Sequence, residues 1–290
     1  MGPQYQTWAS RLFTCFAGVV AAVPLVAACT RSEPTVQRTT TASLAERDVR
    51  PAPSGVTTLT RAELPAPKVT TAAPASACPD GMVLIEGEYC PEVEQVCEKW
   101  MDPPGTKYAQ FRCAKYRSPS VCKGDRVHAR YCIDRTERRE EAGNRPKNFV
   151  SFDQARALCK ESGARVCKES EWQFACEGEE MRPYPYGFSR DSTVCNVDKF
   201  DHLMVHGRLA DHRRDVAEDP RCASPFGVQD LAGNVEEWVA ADGKGKSGWK
   251  QVLKGSYWIP SRHACRQFQV GHGPEYGGRE TGTRCCKDAG

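Results

Sequence analysis

The chain has 290 residues, 27% of them charged, and a formal net charge of +3. That length allows one large domain or two small ones, and the near-neutral balance excludes the basic domain or stripe that nucleic-acid binding requires. Outside the N-terminus no apolar run is long enough to span a bilayer. Sixteen cysteines point to an oxidising compartment or to bound metals, because the cytosol keeps thiols reduced. The C-x2-C spacing of zinc sites is absent from the sequence, so disulfides are the expectation.

Residues 12–28 are mostly apolar and small, follow Arg11, and end in Val26-Ala27-Ala28-Cys29. This is the pattern of a signal peptide over residues 1–28. The 26–29 segment resembles a bacterial lipobox, which implies diacylation of Cys29 and anchoring to a membrane by buried acyl chains. Cleavage after Ala27 or Ala28, or an uncleaved anchor helix, are the alternatives. Thr30 follows Cys29 where an Asp would signal inner-membrane retention, so the resemblance implies the outer membrane of a Gram-negative envelope. Residues 29–77 are rich in Thr, Pro and Ala. They hold too little apolar surface to offset chain entropy and read as a disordered tether.

Cys78 opens the folded part, residues 78–290. Setting aside Cys15 and Cys29 leaves fourteen cysteines, enough for seven disulfides whose pairing the sequence does not give. The adjacent Cys285 and Cys286 are expected to have different partners. Gly81-Met-Val-Leu-Ile-Glu-Gly-Glu88 reads as a strand between turns. The cysteine-dense stretch at about 88–130 reads as an insertion stapled to the core. Ser151 and Gln154 form a capping box, which predicts a helix ending near Glu161, before Gly163. Ala155, Leu158, Cys159 and Ser162 share one face of it. Beyond Gly178, recurrent Gly and Pro predict little regular structure.

Three segments carry a resemblance. They are Phe226-Gly-Val-Gln-Asp-Leu-Ala-Gly-Asn-Val-Glu-Glu-Trp238, Val252-Leu-Lys-Gly-Ser-Tyr-Trp258 and Thr281-Gly-Thr-Arg-Cys285. Together they resemble the formylglycine-generating enzyme, or sulfatase-modifying factor, family. The resemblance implies an α+β, C-type-lectin-like fold, disulfide-rich here and low in regular secondary structure. Tyr131-Cys-Ile-Asp-Arg-Thr-Glu137 is similar to another family strand, and Arg165-Val-Cys-Lys-Glu-Ser-Glu-Trp-Gln-Phe-Ala175 to a family helix start. In that helix start, Cys167 and Lys168 replace the family's Pro and capping Thr. A disulfide at Cys167 is the expected compensation.

In the family's oxidases a C-x4-C pair follows Gly-Ser-Tyr and binds copper. Counted from Ser256, those two positions hold Ile259 and Ala264, so copper is not expected. The resemblance also implies a calcium site at Asp230, the carbonyls of Gly233 and Val235, and Glu237. Asp and Glu carboxylates with turn carbonyls suit a hard cation; a metal-free turn held by Asp and Asn side chains is the alternative. A second family calcium site would begin at Asn196 and Val197, its downstream acid being Asp211, Asp215 or Asp219. His202, His206 and His212 are spaced for a transition metal, but no Glu follows the first His as it does in helical zinc motifs, and a solvated loop is the expectation. Cleft candidates are Ser256, His263, Cys265 and Arg284. A Cys265 thiol flanked by Arg262, His263 and Arg266 would be reactive, whereas a disulfide is the expectation for this compartment.

Three functions are compatible with these residues. One is a catalytically silent, lipid-anchored domain that binds an envelope protein or glycan. Another is a family oxidoreductase converting cysteine to formylglycine in an exported protein, or carrying out a related metal-dependent oxidation. The last is a purely structural envelope protein.

Overall fold

The structure is a computed structural model that describes residues 77–106, 109–200, 204–205, 207–242 and 248–290. The signal peptide, Cys29, the tether up to residue 76, His202 and His206 lie outside the described residues.

In chain order the strands begin with β1 (Met82–Tyr89), β2 (Val93–Glu94), β3 (Cys97–Trp100), β4 (Cys113–Tyr116), β5 (Val121–Cys122) and β6 (Val127–Asp134). Helix α1 (Phe152–Glu161), β7 (Arg165–Val166) and helix α2 (Glu169–Glu177) follow. The remainder is short strands in long loops: β8 (Met204–Val205), β9 (Arg208–Leu209), β10 (Glu236–Ala240), β11 (Gln251–Lys254), β12 (Phe268–Gln269), β13 (Thr281–Gly282) and β14 (Cys285–Asp288). Low regular content after Gly178 is therefore observed as expected.

Two four-stranded sheets organise the domain, in the orders β1-β6-β14-β7 and β12-β11-β10-β13. Strand β6 lies between β1 and β14, and its Tyr131, Cys132 and Ile133 are all buried. A strand covered on both faces loses the apolar/polar alternation of a half-exposed one. The main core joins Ile85, Tyr131 and Ile133 to Trp172, Phe174, Leu231, Val239 and Val252.

Helix α1 starts as the sequence predicts. The Gln154 amide nitrogen of the main chain donates to Ser151 Oγ at 3.2 Å, and the Ser151 main-chain N–H donates to Gln154 Oε1 at 2.9 Å. Of the expected face, Ala155 and Cys159 are buried and Leu158 packs beside them, while Ser162 is the exposed C-cap. Helix α2 lacks a Thr cap and finds substitutes. Glu171 accepts from the Lys168 N–H at 2.8 Å, and Asp242, from beyond β10, accepts from the Ser170 N–H at 2.9 Å. Both contacts satisfy first-turn amides that would otherwise be orphaned.

All fourteen cysteines from Cys78 onward are paired: 78–132, 90–122, 97–113, 159–285, 167–286, 176–265 and 195–222. Cys285 and Cys286 do take different partners, and Cys167–Cys286 ties the start of α2 to β14. The cysteine-rich insertion differs from expectation. Its two disulfides, Cys90–Cys122 and Cys97–Cys113, are both internal to it. Hydrogen bonds rather than disulfides fix it to the core, among them Tyr184 OH to the Cys113 carbonyl at 2.6 Å and the Gln267 amide to the Phe111 carbonyl at 2.9 Å.

Candidate functional site

The segment before β10 is a tight turn in which Asp230, Gly233 and Asn234 all have positive φ (58°, 82° and 58°). A Cβ on Gly233 would stand 2.2 Å from the Asn196 carbonyl oxygen, so only glycine allows this approach. The two segments proposed for calcium, around Asp230 and at Asn196–Val197, are thus packed against each other. The Asn234 N–H donates to the Asn196 carbonyl at 3.1 Å.

Glu237 is committed to the core. Arg284 grips it with two bonds, Nε to Oε2 at 2.6 Å and Nη2 to Oε1 at 2.7 Å, and Trp172 Nε1 donates to Oε2 at 2.7 Å. Arg284 and Glu237 are essentially inaccessible to solvent. Asp230 accepts from the Ala217 N–H at 2.6 Å. Burial raises the Asp230 carboxyl to about 6. Glu137 is the residue the sequence reading did not select as a site. It is 1% exposed, and neither carboxyl oxygen has a hydrogen bond of ordinary geometry, the Asn234 side chain being the nearest polar group that favours its ionised form. Burial, then the charges of Asp230 and Glu237, push its pKa well above the ordinary carboxylate range. Its place as the acid that closes a family-like strand was a usable signal.

As the side chains stand, no three Asp, Glu, His or Cys groups among the described residues close into a metal set. The orphaned Glu137 carboxylate nevertheless fits a cation. One guanidinium faces three buried acids here, and an unpaired buried charge is costly unless it is neutralised. At the second segment, Asn196 Oδ1 is likewise buried without a partner. Its candidate acids Asp211 and Asp219 are held by Arg213 and Arg221.

The cleft candidates do not converge. Cys265 is bonded to Cys176, the disulfide expected for it, which sets aside the reactive-thiol alternative. His263 is buried between Arg190 Nη2, 2.6 Å from Nδ1, and the Tyr257 carbonyl, 2.8 Å from Nε2. Burial first, and then Arg190, lower its pKa to about 3, so it is a neutral spacer rather than a base at pH 7. Arg284 belongs to the Glu237 cluster. Trp258 is fully buried. Ser256 is 4% exposed at a left-handed φ of 56°, a backbone state that costs a non-glycine residue about 1 kcal/mol or more.

A different set of residues encloses a cavity of about 490 Å³: Glu236, Tyr257, Ile259, Arg262, Gln269 and Glu280 are among its walls. Parallel pairing of β10 with β13 sets Glu236 opposite Thr281, and the Glu236 N–H donates to the Glu280 carbonyl at 2.8 Å. Both side chains reach the cavity wall, where the Glu280 charge acts on Glu236. Ile259, at the first copper position, faces this cavity; Ala264, at the second, is buried.

Residues 94–289 match the family described as the sulfatase-modifying factor enzyme 1-like domain. Among curated relatives, the "Inactive C-alpha-formylglycine-generating enzyme 2" of Bos taurus is 32% identical over 164 residues, covering 50% of this chain and 51% of the relative. The "Formylglycine-generating enzyme" of Thermomonospora curvata is 27% identical over 171 residues, covering 50% and 56%. The chain thus spans about half the length of these relatives. The crystal structure of CarF aligns with a TM-score of 0.47 at 17% identity, covering 71% of this chain and 97% of that one. With most of the described residues inside the family match, the chain belongs to the sulfatase-modifying factor enzyme 1-like family and has the disulfide-rich α+β formylglycine-generating-enzyme fold.

Proposed function

We propose that this chain is a lipid-anchored cell-envelope protein whose domain binds a ligand or partner in its cleft and does not carry out copper-dependent oxidation. The observation that carries this reading is the pair Ile259 and Ala264 at the two copper positions. An alkyl side chain offers no donor to the soft Cu(I) ion that thiolates select. Similarity to relatives named inactive supports it, as does the disulfide at Cys265, which leaves no thiol in the region. Burial of Ser256, Trp258, His263 and Arg284 favours the purely structural reading; the cavity lined by Glu236, Arg262 and Glu280 favours binding. Copper settles the first point. Cu(I) titrated against a chromogenic chelator should find no stoichiometric site on the oxidised protein, whereas one equivalent bound more tightly than the chelator would overturn the reading.

Anchoring through Cys29 at the outer membrane is part of the same proposal. Radiolabelled palmitate should be incorporated by the wild type and not by Cys29→Ala; equal labelling of both would exclude it.

Calcium is proposed as the structural cofactor. Asp230, the Gly233 and Val235 carbonyls and Glu237 would hold it, Glu237 sharing oxygens that also accept from Arg284 and Trp172, with Glu137 as a further oxygen donor and with Asn196 and Val197 at a second, weaker site. The orphaned carboxylate supports this, since calcium takes six to eight oxygen ligands. Millimolar calcium should raise the melting temperature over EDTA, and Glu137→Gln should reduce that rise. An identical melt in calcium and EDTA would refute the proposal.

A further inference from the structure

We propose that the cavity between Glu236, Arg262 and Glu280 takes a small zwitterion of amino-acid type, its ammonium on the two carboxylates and its carboxylate on the guanidinium. This deepens the binding-cleft reading and rests on it.

The argument is one of unpaired charge. Glu236 is 6% exposed, lines the cavity, and makes no ion pair with any described residue. Glu280 is on the same wall; it accepts from Tyr276 OH at 2.6 Å and likewise has no cationic partner among the described residues. The Ser256 hydroxyl sits beside Glu236 and favours its ionised form, yet makes no hydrogen bond of ordinary geometry.

The opposite sign is present on the same surface. The Arg262 guanidinium lies 3.8 Å over the Phe111 ring and donates to Gln269 Oε1 at 2.8 Å; its charge reaches Glu236, but no carboxylate of the described residues is within ion-pair distance of it. Stacking and that bond hold it in place while leaving donors for an anion. Arg112, the other guanidinium on the wall, differs in being neutralised by Asp102 at 2.7 Å and Asp198 at 3.7 Å. An amine alone would face Arg262, and a carboxylate alone would face the two glutamates. A ligand bearing both signs complements the site, and about 490 Å³ is within the range of small-molecule pockets. Arg112 on the wall and Phe111 beneath Arg262 both come from the cysteine-rich segment, which thus helps to shape this site.

The test uses the full, oxidised chain and the twenty proteinogenic amino acids, by ligand-observed NMR followed by calorimetry. At least one should bind saturably with Kd below about 1 mM. Its decarboxylated amine and its deaminated acid should each bind at least tenfold more weakly. Glu236→Gln and Arg262→Gln should each weaken the amino acid at least tenfold with an unchanged near-ultraviolet circular dichroism spectrum. Saturation by none of the twenty, equal affinity for the bare amine, or indifference to both substitutions would overturn the proposal. Binding of a Cys-x-Pro-x-Arg peptide with no amino acid bound would also overturn it, while leaving the broader binding reading intact.

Discussion

Replacing Arg284 by Met tests whether the buried charge cluster holds the two sheets together. The guanidinium is inaccessible, bonds Glu237 twice, and donates to the Gln229 carbonyl at 2.9 Å and the Asp134 carbonyl at 3.2 Å. Loss of one partner of a buried ion pair costs about 3–5 kcal/mol, because the other charge stays behind. Orphaning two carbonyls adds roughly 1 kcal/mol or more. The total of about 5 kcal/mol approaches the whole stability of an ordinary domain. At about 2–4 °C per kcal/mol for a domain of this size, the midpoint should fall by about 10–20 °C. The assay is thermal melting of the oxidised protein by circular dichroism, in EDTA so that no cation replaces the guanidinium. Glu237→Gln combined with Arg284→Met should melt higher than Arg284→Met alone, since the double variant leaves no uncompensated acid at that position. A fall under about 3 °C for Arg284→Met, or a double variant no better than the single, would refute the reasoning.

Two further perturbations follow from the same geometry. Glu236 in the fold titrates near 8 against an ordinary 4.5, so the folded chain holds a proton that the unfolded chain has lost between those values. Stability from this group should therefore decline as pH rises from 4.5 through 8, by up to about 5 kcal/mol. His263, with its pKa lowered to about 3 from 6.5, acts in the other direction: stability is lost as pH falls from 6.5 towards 3. Urea midpoints across pH should show both limbs, and Glu236→Gln should flatten only the upper one; an unchanged upper limb would contradict the assignment. Gly233→Ala should cost at least about 2 kcal/mol, because φ is 82° and the new Cβ would meet the Asn196 backbone. A wild-type urea midpoint for that variant would mean the two turns are not packed as described.

Local signals were legible in the sequence. The Ser151–Gln154 box is a contact between residues three apart, and the helix starts where those two residues say. The family segments place Trp172, Glu237 and Arg284, whose side chains meet in one buried cluster. What the sequence did not reveal depends on pairings between distant segments. Glu236 and Glu280, far apart in the chain, meet on one cavity wall once β10 has paired with β13. The α2 cap comes from Asp242, far along the chain. Reading Cys265, His263 and Arg284 as cleft residues followed the order of the motif. Their actual partners, Cys176, Arg190 and Glu237, lie in other segments that draw each side chain inward. The acid Glu137 was visible as a strand end, but its isolation among Asp230 and Glu237 is a property of the packed interior.

Mass spectrometry of a turnover reaction tests the central claim most directly. The oxidised full chain, supplied with Cu(I), oxygen and a reductant, would be mixed with a Cys-x-Pro-x-Arg peptide beside an active family enzyme. With Ile259 and Ala264 at the copper positions, the peptide should be recovered with its cysteine intact while the control converts it to formylglycine. Appearance of the aldehyde product with this chain alone would contradict the non-catalytic reading.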